Sequence, residues 1–182
     1  VLIATPNDLH RPLAIQAMEA GKNVICEKPV TINSADLQTM MEASERTGKF
    51  LTVHQNRRWD EDFLTIKEIL AEGKLGPVFR IESRVHGAHG IPGDWRQEPE
   101  KGGGMILDWG VHLLDQVLLL YSDAKVETVY ATTELTSMHM VVAIIPSPIS
   151  VSVVWWAVRA VAVTATVMLL LIGASGHIDT GD

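Results

Sequence analysis

Apolar residues come in three short bursts over the first 55 positions. Val1-Leu2-Ile3-Ala4, Asn23-Val24-Ile25-Cys26 and Phe50-Leu51-Thr52-Val53 are continuous and β-rich, the pattern of strands covered on both faces in a parallel sheet. Between the bursts the spacing turns helical. Leu13, Ala14, Ala17 and Met18 share one face of a helix predicted from Leu9 to Ala20. Pro12 suits its first turn and Gly21 its stop. Leu37, Met40 and Met41 mark a second helix, with Asn33 or Ser34 as its cap and Gly48 as its end. Strand, helix, strand, helix, strand with short loops is the order of right-handed parallel crossovers. Residues 1–55 are therefore expected to be half of a doubly wound sheet.

The pattern changes near residue 56. Asp60 is placed to cap a helix bearing Phe63, Ile66, Ile69 and Leu70, which Gly73 stops. From Val78 to His86 the chain alternates. Phe79, Ile81, Ser83 and Val85 fall on one face, and Arg80, Glu82 and Arg84 on the other, as in a half-solvated antiparallel strand. A loop rich in Gly, Pro and Trp follows over 87–104, then a helix from Met105 to Tyr121 and a strand from Val126 to Thr133. Residues 56–134 thus read as the start of an α+β domain with a mainly antiparallel sheet. No internal repeat precedes residue 135.

Composition adds limits. The 182 residues suffice for one domain or parts of two. A net charge of −7 opposes non-specific binding to nucleic acid or to an anionic membrane surface. The single cysteine, Cys26, forms no internal disulfide and suits a reducing compartment. With no charged-then-apolar leader at the start, the expected location is the cytoplasm. The chain begins inside an apolar run, without an initiator Met, and is expected to be an N-terminally truncated piece of a domain. Charge is also unevenly spread. Residues 1–134 carry 34 charged side chains, whereas 135–182 carry three: Arg159, Asp179 and Asp182. Three readings of this apolar tail follow in order: a non-native continuation such as a shifted reading frame, buried strands rich in Val, Ile and Thr, and a bilayer span over Val151 to Ile172, where Arg159 is costly.

Candidate chemistry gathers in a few places. Glu27-Lys28-Pro29 lies at the carboxyl end of a predicted parallel strand, the edge where open α/β sheets bind ligands. A lysine entering a cleft there serves acid/base chemistry, and the bond to Pro29 is a candidate for cis; the alternative is a solvated loop lysine. Asp108, His112 and Asp115 share a helix face, with Asp108 one turn before His112 and so placed to orient its imidazole. The alternatives are a helix salt bridge or a core histidine. Gly102-Gly103-Gly104 permits close backbone approach to a ligand at a helix start, or is simply a flexible loop. Arg57 and Arg58 face phosphate or substrate, or else solvent. Trp95-Arg96 lines a pocket, or packs within its own loop. His86, His89, Asp94, Asp108 and His112 lack zinc-site spacing, so no metal is expected.

Together these segments resemble the glucose-fructose oxidoreductase / inositol dehydrogenase / MocA family of nicotinamide-dependent dehydrogenases. The resemblance runs through Val1-Leu2-Ile3-Ala4-Thr5-Pro6-Asn7 with His10, through Ala20-Gly21-Lys22-Asn23-Val24 into Cys26-Glu27-Lys28-Pro29, and through Gly102-Gly103-Gly104, Asp108, His112 and Asp115. It covers about residues 1 to 133. It implies a Rossmann domain, only part of it present here, followed by an α+β domain with an open, mainly antiparallel sheet that often forms an oligomer interface. It also implies NAD or NADP as cofactor and a sugar or polyol as substrate. Thr5, Pro6, Asn7, His10, Glu27, Lys28 and Pro29 would lie by the nicotinamide end. Lys28, Asp108 and His112 would be catalytic, with Arg57 and Trp95 beside them at the substrate. In the implied mechanism His112 takes the hydroxyl proton, Asp108 orients it and Lys28 polarises the oxygen. The other function carried forward is a non-catalytic remnant or binding module of the same fold. No Gly-x-Gly-x-x-Gly occurs in these residues, so the pyrophosphate cradle of the family is not among them.

Overall fold

The computed structural model describes residues 1–87, 92–121, 126–134, 139–146, 150–157 and 166–173. The three apolar bursts become β1 (Leu2–Ile3), β2 (Val24–Glu27) and β3 (Leu51–His54). They pair in parallel in the order β1-β2-β3, with Ile3 beside Cys26 and Cys26 beside Val53. Two helices connect them, α1 (His10–Glu19) and α2 (Ser34–Thr47). The Asn33 side chain accepts the Asp36 N–H at 2.8 Å and so caps α2. Gly48 ends that helix at φ 62°, which glycine adopts without penalty.

Ile3, Ala14, Met18, Val24, Cys26, Met40 and Ala43 form a single buried cluster between strands and helices. The sequence pattern placed Met41 on that inner face; instead it is exposed and Ala43, three residues after Met40, takes the place. The strands also depart from expectation. Leu2 is 60% exposed and its neighbour Ile25 44%, so the described residues cover one face of this sheet, not both. Successive right-handed crossovers that advance in one direction place their helices on the same side.

By contact the chain divides into two units, 1–56 with 91–112, and 57–90 with 113–182. The first boundary lies where the pattern changes. Residues 91–112 were expected in the second region but group with the first. The tie is visible in the bond from Asn7 Nδ2 to the Gly102 carbonyl, 2.8 Å long and spanning 95 residues of sequence.

In the second unit lie α3 (Glu61–Ala71), β4 (Val78–Gly87) and a sheet completed by β5 (Val126–Glu134), β6 (His139–Pro146), β7 (Ser150–Ala157) and β8 (Thr166–Gly173). Its order is β5-β6-β7-β4-β8; β4 and β7 run parallel and the other neighbours antiparallel. On β4, Ile81, Ser83 and Val85 are buried as the alternation predicts. Glu82, expected on the solvated face, is buried as well, because Arg80 and Arg84 both close over its carboxylate. Asp60 precedes α3 but its side chain makes no cap; it takes Arg57 Nη1 at 3.0 Å instead. Of the readings set out for the tail, strands accord with the described backbone, and a helix over 151–172 does not. Ser150–Ala157 and Thr166–Gly173 both pair with β4.

The helix expected from Met105 begins as a π turn, Ile106–Gly110, and continues as α4 (Val111–Leu120). Such turns recur at functional sites, and this one carries Asp108.

Candidate active site

β1 and β2 deliver two short loops to the carboxyl edge of the parallel sheet. Thr5-Pro6-Asn7 follows β1, and Glu27-Lys28-Pro29 closes β2. That edge is where an α/β sheet presents backbone and side chains to a ligand. A cavity of about 270 Å³ lies there, lined by Ala4, Thr5, Pro6, Asn7, Glu27, Lys28 and Pro29, and by Trp95, Arg96, Gly102, Gly104 and Asp108 from the returning segment. The Lys28–Pro29 bond is cis.

Lys28 is the centre of this arrangement. Its Nζ donates to the Asp108 backbone carbonyl at 2.6 Å and to Asp108 Oδ1 at 2.7 Å. The two side chains are 18% and 17% exposed, shielded enough for the charges to feel each other and open enough for a small ligand to reach them. Beside Lys28, Glu27 Oε1 meets His54 Nδ1 at 2.7 Å across the β2–β3 register, and Oε2 accepts the Lys28 N–H at 3.2 Å. Burial alone pushes the Glu27 carboxyl up. The His54 hydrogen bond, the Lys28 N–H and the nearby His54 and Lys28 charges outweigh it and hold the group below the usual carboxylate range.

The returning segment is shaped by its glycines. A Cβ on Gly103 would lie 2.4 Å from the Arg96 carbonyl oxygen and 2.8 Å from that of Glu98; one on Gly102, at φ +75°, would meet Ile32 Cγ1 at 2.7 Å. The close approach these glycines allow is therefore to the protein's own chain, where the sequence suggested a ligand. Gly104 lines the cavity at φ +111°, with nothing near its missing Cβ.

Most of the residues singled out in the sequence meet here: Thr5, Pro6, Asn7, Glu27, Lys28, Pro29, Trp95 and Asp108. Three of the residues that the resemblance implies for the site do not line the cavity. His10 is fully buried, with Nδ1 2.8 Å from the Pro29 carbonyl oxygen and Nε2 3.0 Å from that of Thr5; it ties the two loops together. Arg57 falls in the second unit, bridged to Asp60. His112 is buried one turn beyond Asp108, edge-on to the Trp109 ring at 6.2 Å. The Asp108 carboxylate also holds Lys28, a partner the sequence did not assign to it. Asp115, on α4, forks with Arg58 at 2.6 and 2.7 Å and is structural. His89 and the His86 side chain lie outside what the structure describes. Arg96 was the residue underweighted by sequence. Its signal was present in Asp94, two residues earlier, and in the glycines that follow.

Residues 1–55 match the oxidoreductase family with an NAD-binding Rossmann fold, and residues 63–181 match the GFO/IDH/MocA C-terminal domain. An uncharacterised oxidoreductase of Escherichia coli, YdgJ, is 43% identical over 122 residues, covering 66% of this chain and 35% of its own length. The scyllo-inositol 2-dehydrogenase (NADP(+)) IolW of Bacillus subtilis is 34% identical over 130 residues, covering 70% of this chain and 36% of its own. Among solved structures, an NAD-binding protein from Listeria innocua superposes with a TM-score of 0.87 at 47% identity, covering 95% of this chain and 50% of that one. The chain thus spans about a third of the curated relatives it matches and about half of the solved one. With both halves of its sequence matched in order, and its cavity at the carboxyl edge of the parallel strands, the chain belongs to the GFO/IDH/MocA family of oxidoreductases.

Proposed function

We propose that the full-length protein oxidises a hydroxyl of a sugar or polyol, or reduces the corresponding carbonyl, with NAD or NADP as partner. The observation that carries this is Lys28, held by Asp108 in a cavity at the sheet's carboxyl edge. The polyol for which IolW is named, scyllo-inositol, supports the substrate class.

The residues present fit one end of a dinucleotide. At about 270 Å³ the cavity suits a nicotinamide-sized ring with a small substrate rather than a whole dinucleotide. Thr5 Oγ1 is buried on its wall with no described partner, a polar atom that a ligand would satisfy. Thr5, Pro6, Asn7, Glu27 and Pro29 would hold that end. A nicotinamide bound there supplies the hydride chemistry.

This chain's residues supply the rest. Lys28 Nζ, already fixed through two acceptors, donates to the substrate oxygen and stabilises the charge that develops on it as the O–H bond breaks. Asp108 keeps the ammonium in place. His112, buried one turn beyond Asp108 and off the described cavity wall, takes the proton only on the strength of the family's Asp-x-x-x-His pattern; the carbon loses hydride and becomes a carbonyl. Titrating the complete reading frame with NADH and with NADPH, then assaying a panel of polyols and sugars, tests the reading. Saturable dinucleotide binding with turnover is expected. Binding without turnover on any of them would support the binding module instead, and no binding would refute both.

A further inference from the structure

The loop that carries Arg96 is fixed more firmly than a surface cation requires. Asp94 Oδ1 accepts the Arg96 N–H at 2.8 Å, and Oδ2 takes Nη1 at 2.7 Å. The Trp95 ring centre lies 4.5 Å from the guanidinium carbon, within stacking range. Behind them the Arg96 carbonyl accepts the Gly104 N–H at 2.8 Å and fills the space of the missing Gly103 side chain. Backbone and guanidinium are thus held together. The result is a cation on the cavity wall with Nε 3.7 Å from Asp108 Oδ1, too far for a hydrogen bond. Lys28 Nζ touches that same oxygen at 2.7 Å.

Two cations therefore converge on one carboxylate oxygen, one in contact and one held short. A rigid donor stopped short of its counter-ion is preorganised for an oxygen that arrives with a ligand. The charges on the wall balance, Lys28 and Arg96 against Glu27 and Asp108, so the site has no net pull on an anion.

We propose that Arg96 is a specificity-determining residue that binds the oxygen adjacent to the reacting hydroxyl, so that the site selects an uncharged vicinal diol over an isolated alcohol or a hydroxy acid. The inference rests on the cavity being the substrate site. Its test uses the complete protein with a cyclic polyol, the analogue lacking one neighbouring hydroxyl, and a hydroxy acid of similar size. The readout is the ratio of kcat/KM for polyol over deoxy analogue. Arg96→Met is expected to lower that ratio about 10- to 100-fold, the worth of one charged hydrogen bond, chiefly through KM. Arg96→Lys, with charge but no fork, should fall between. Equal losses on both substrates, leaving the ratio unchanged, would reduce Arg96 to a structural part and overturn the proposal. So would a wild-type preference for the hydroxy acid that Arg96→Met abolishes. Failure of the wild type on every substrate would bring down the function itself, a result distinct from an unchanged ratio.

Discussion

Cys26 on β2 and Lys28 just beyond its end stand two residues apart and face opposite fates. Cys26 is fully buried, and burial first, then the Glu27 charge, pushes its thiol up to about 11. Relative to its ordinary value of 9.0 this leaves about 100-fold less thiolate at a given pH. Iodoacetamide at pH 8 is expected to label Cys26 only after urea unfolds the chain; rapid labelling of the native form would show that the core of the first unit is open. Lys28, past the strand's end, reaches the cavity, where Asp108 holds it. Replacing Asp108 with Ala removes a charged partner and is expected to cost about 1.5–3 kcal/mol in urea unfolding, with the carbonyl bond retained. Glu27 gives a pH signature. Its native carboxyl titrates below the ordinary value of 4.5. Its stabilising contribution is therefore full above that value and fades as pH falls through the lower native one. Glu27→Gln should flatten the dependence of stability on pH across this acid range, and an unchanged slope would contradict the His54 and Lys28 contacts.

At the scale of elements, the returning segment from Asp94 to Asp108 brings the far half of the site. Its path depends on Gly103, whose Cβ would collide with backbone atoms rather than movable side chains. Gly103→Ala is expected to destabilise by about 1–3 kcal/mol and to displace Arg96. Gly21→Ala, at φ 78° with open space around it, carries only the conformational cost, about 1–2 kcal/mol. Similar activity of both variants on the polyol would argue that the loop's packing is irrelevant to the site. The elements themselves were largely legible in the sequence. Caps at Asn33, stops at Gly21, Gly48 and Gly73, and the alternation on β4 follow from local rules. Local rules could not show that Met41 faces out, that Glu82 is buried beneath two arginines, or that Asp60 spends its carboxylate on Arg57. Those outcomes are set by partners.

At the scale of the whole molecule, the site joins residues 80 and 95 positions apart, Lys28 with Asp108 and Asn7 with Gly102. Periodicity carries no information over such distances, which is why the contact of 91–112 with the first unit was not foreseen while the motifs within it were recognised. Family pattern located Lys28 and Asp108, and geometry then paired them with each other. The exposed face bearing Leu2 and Ile25 likewise escaped a reading that judged each strand by its own composition. Since the chain spans about a third of the curated relatives it matches, activity belongs to the complete reading frame. The most direct measurement there is kcat for polyol oxidation by Lys28→Ala beside the wild type, with unfolding followed in parallel. A drop of about 10²- to 10³-fold, the usual worth of one preorganised donor at a developing charge, with the fold intact, is the expected result. A folded Lys28→Ala enzyme turning over at the wild-type rate would contradict it.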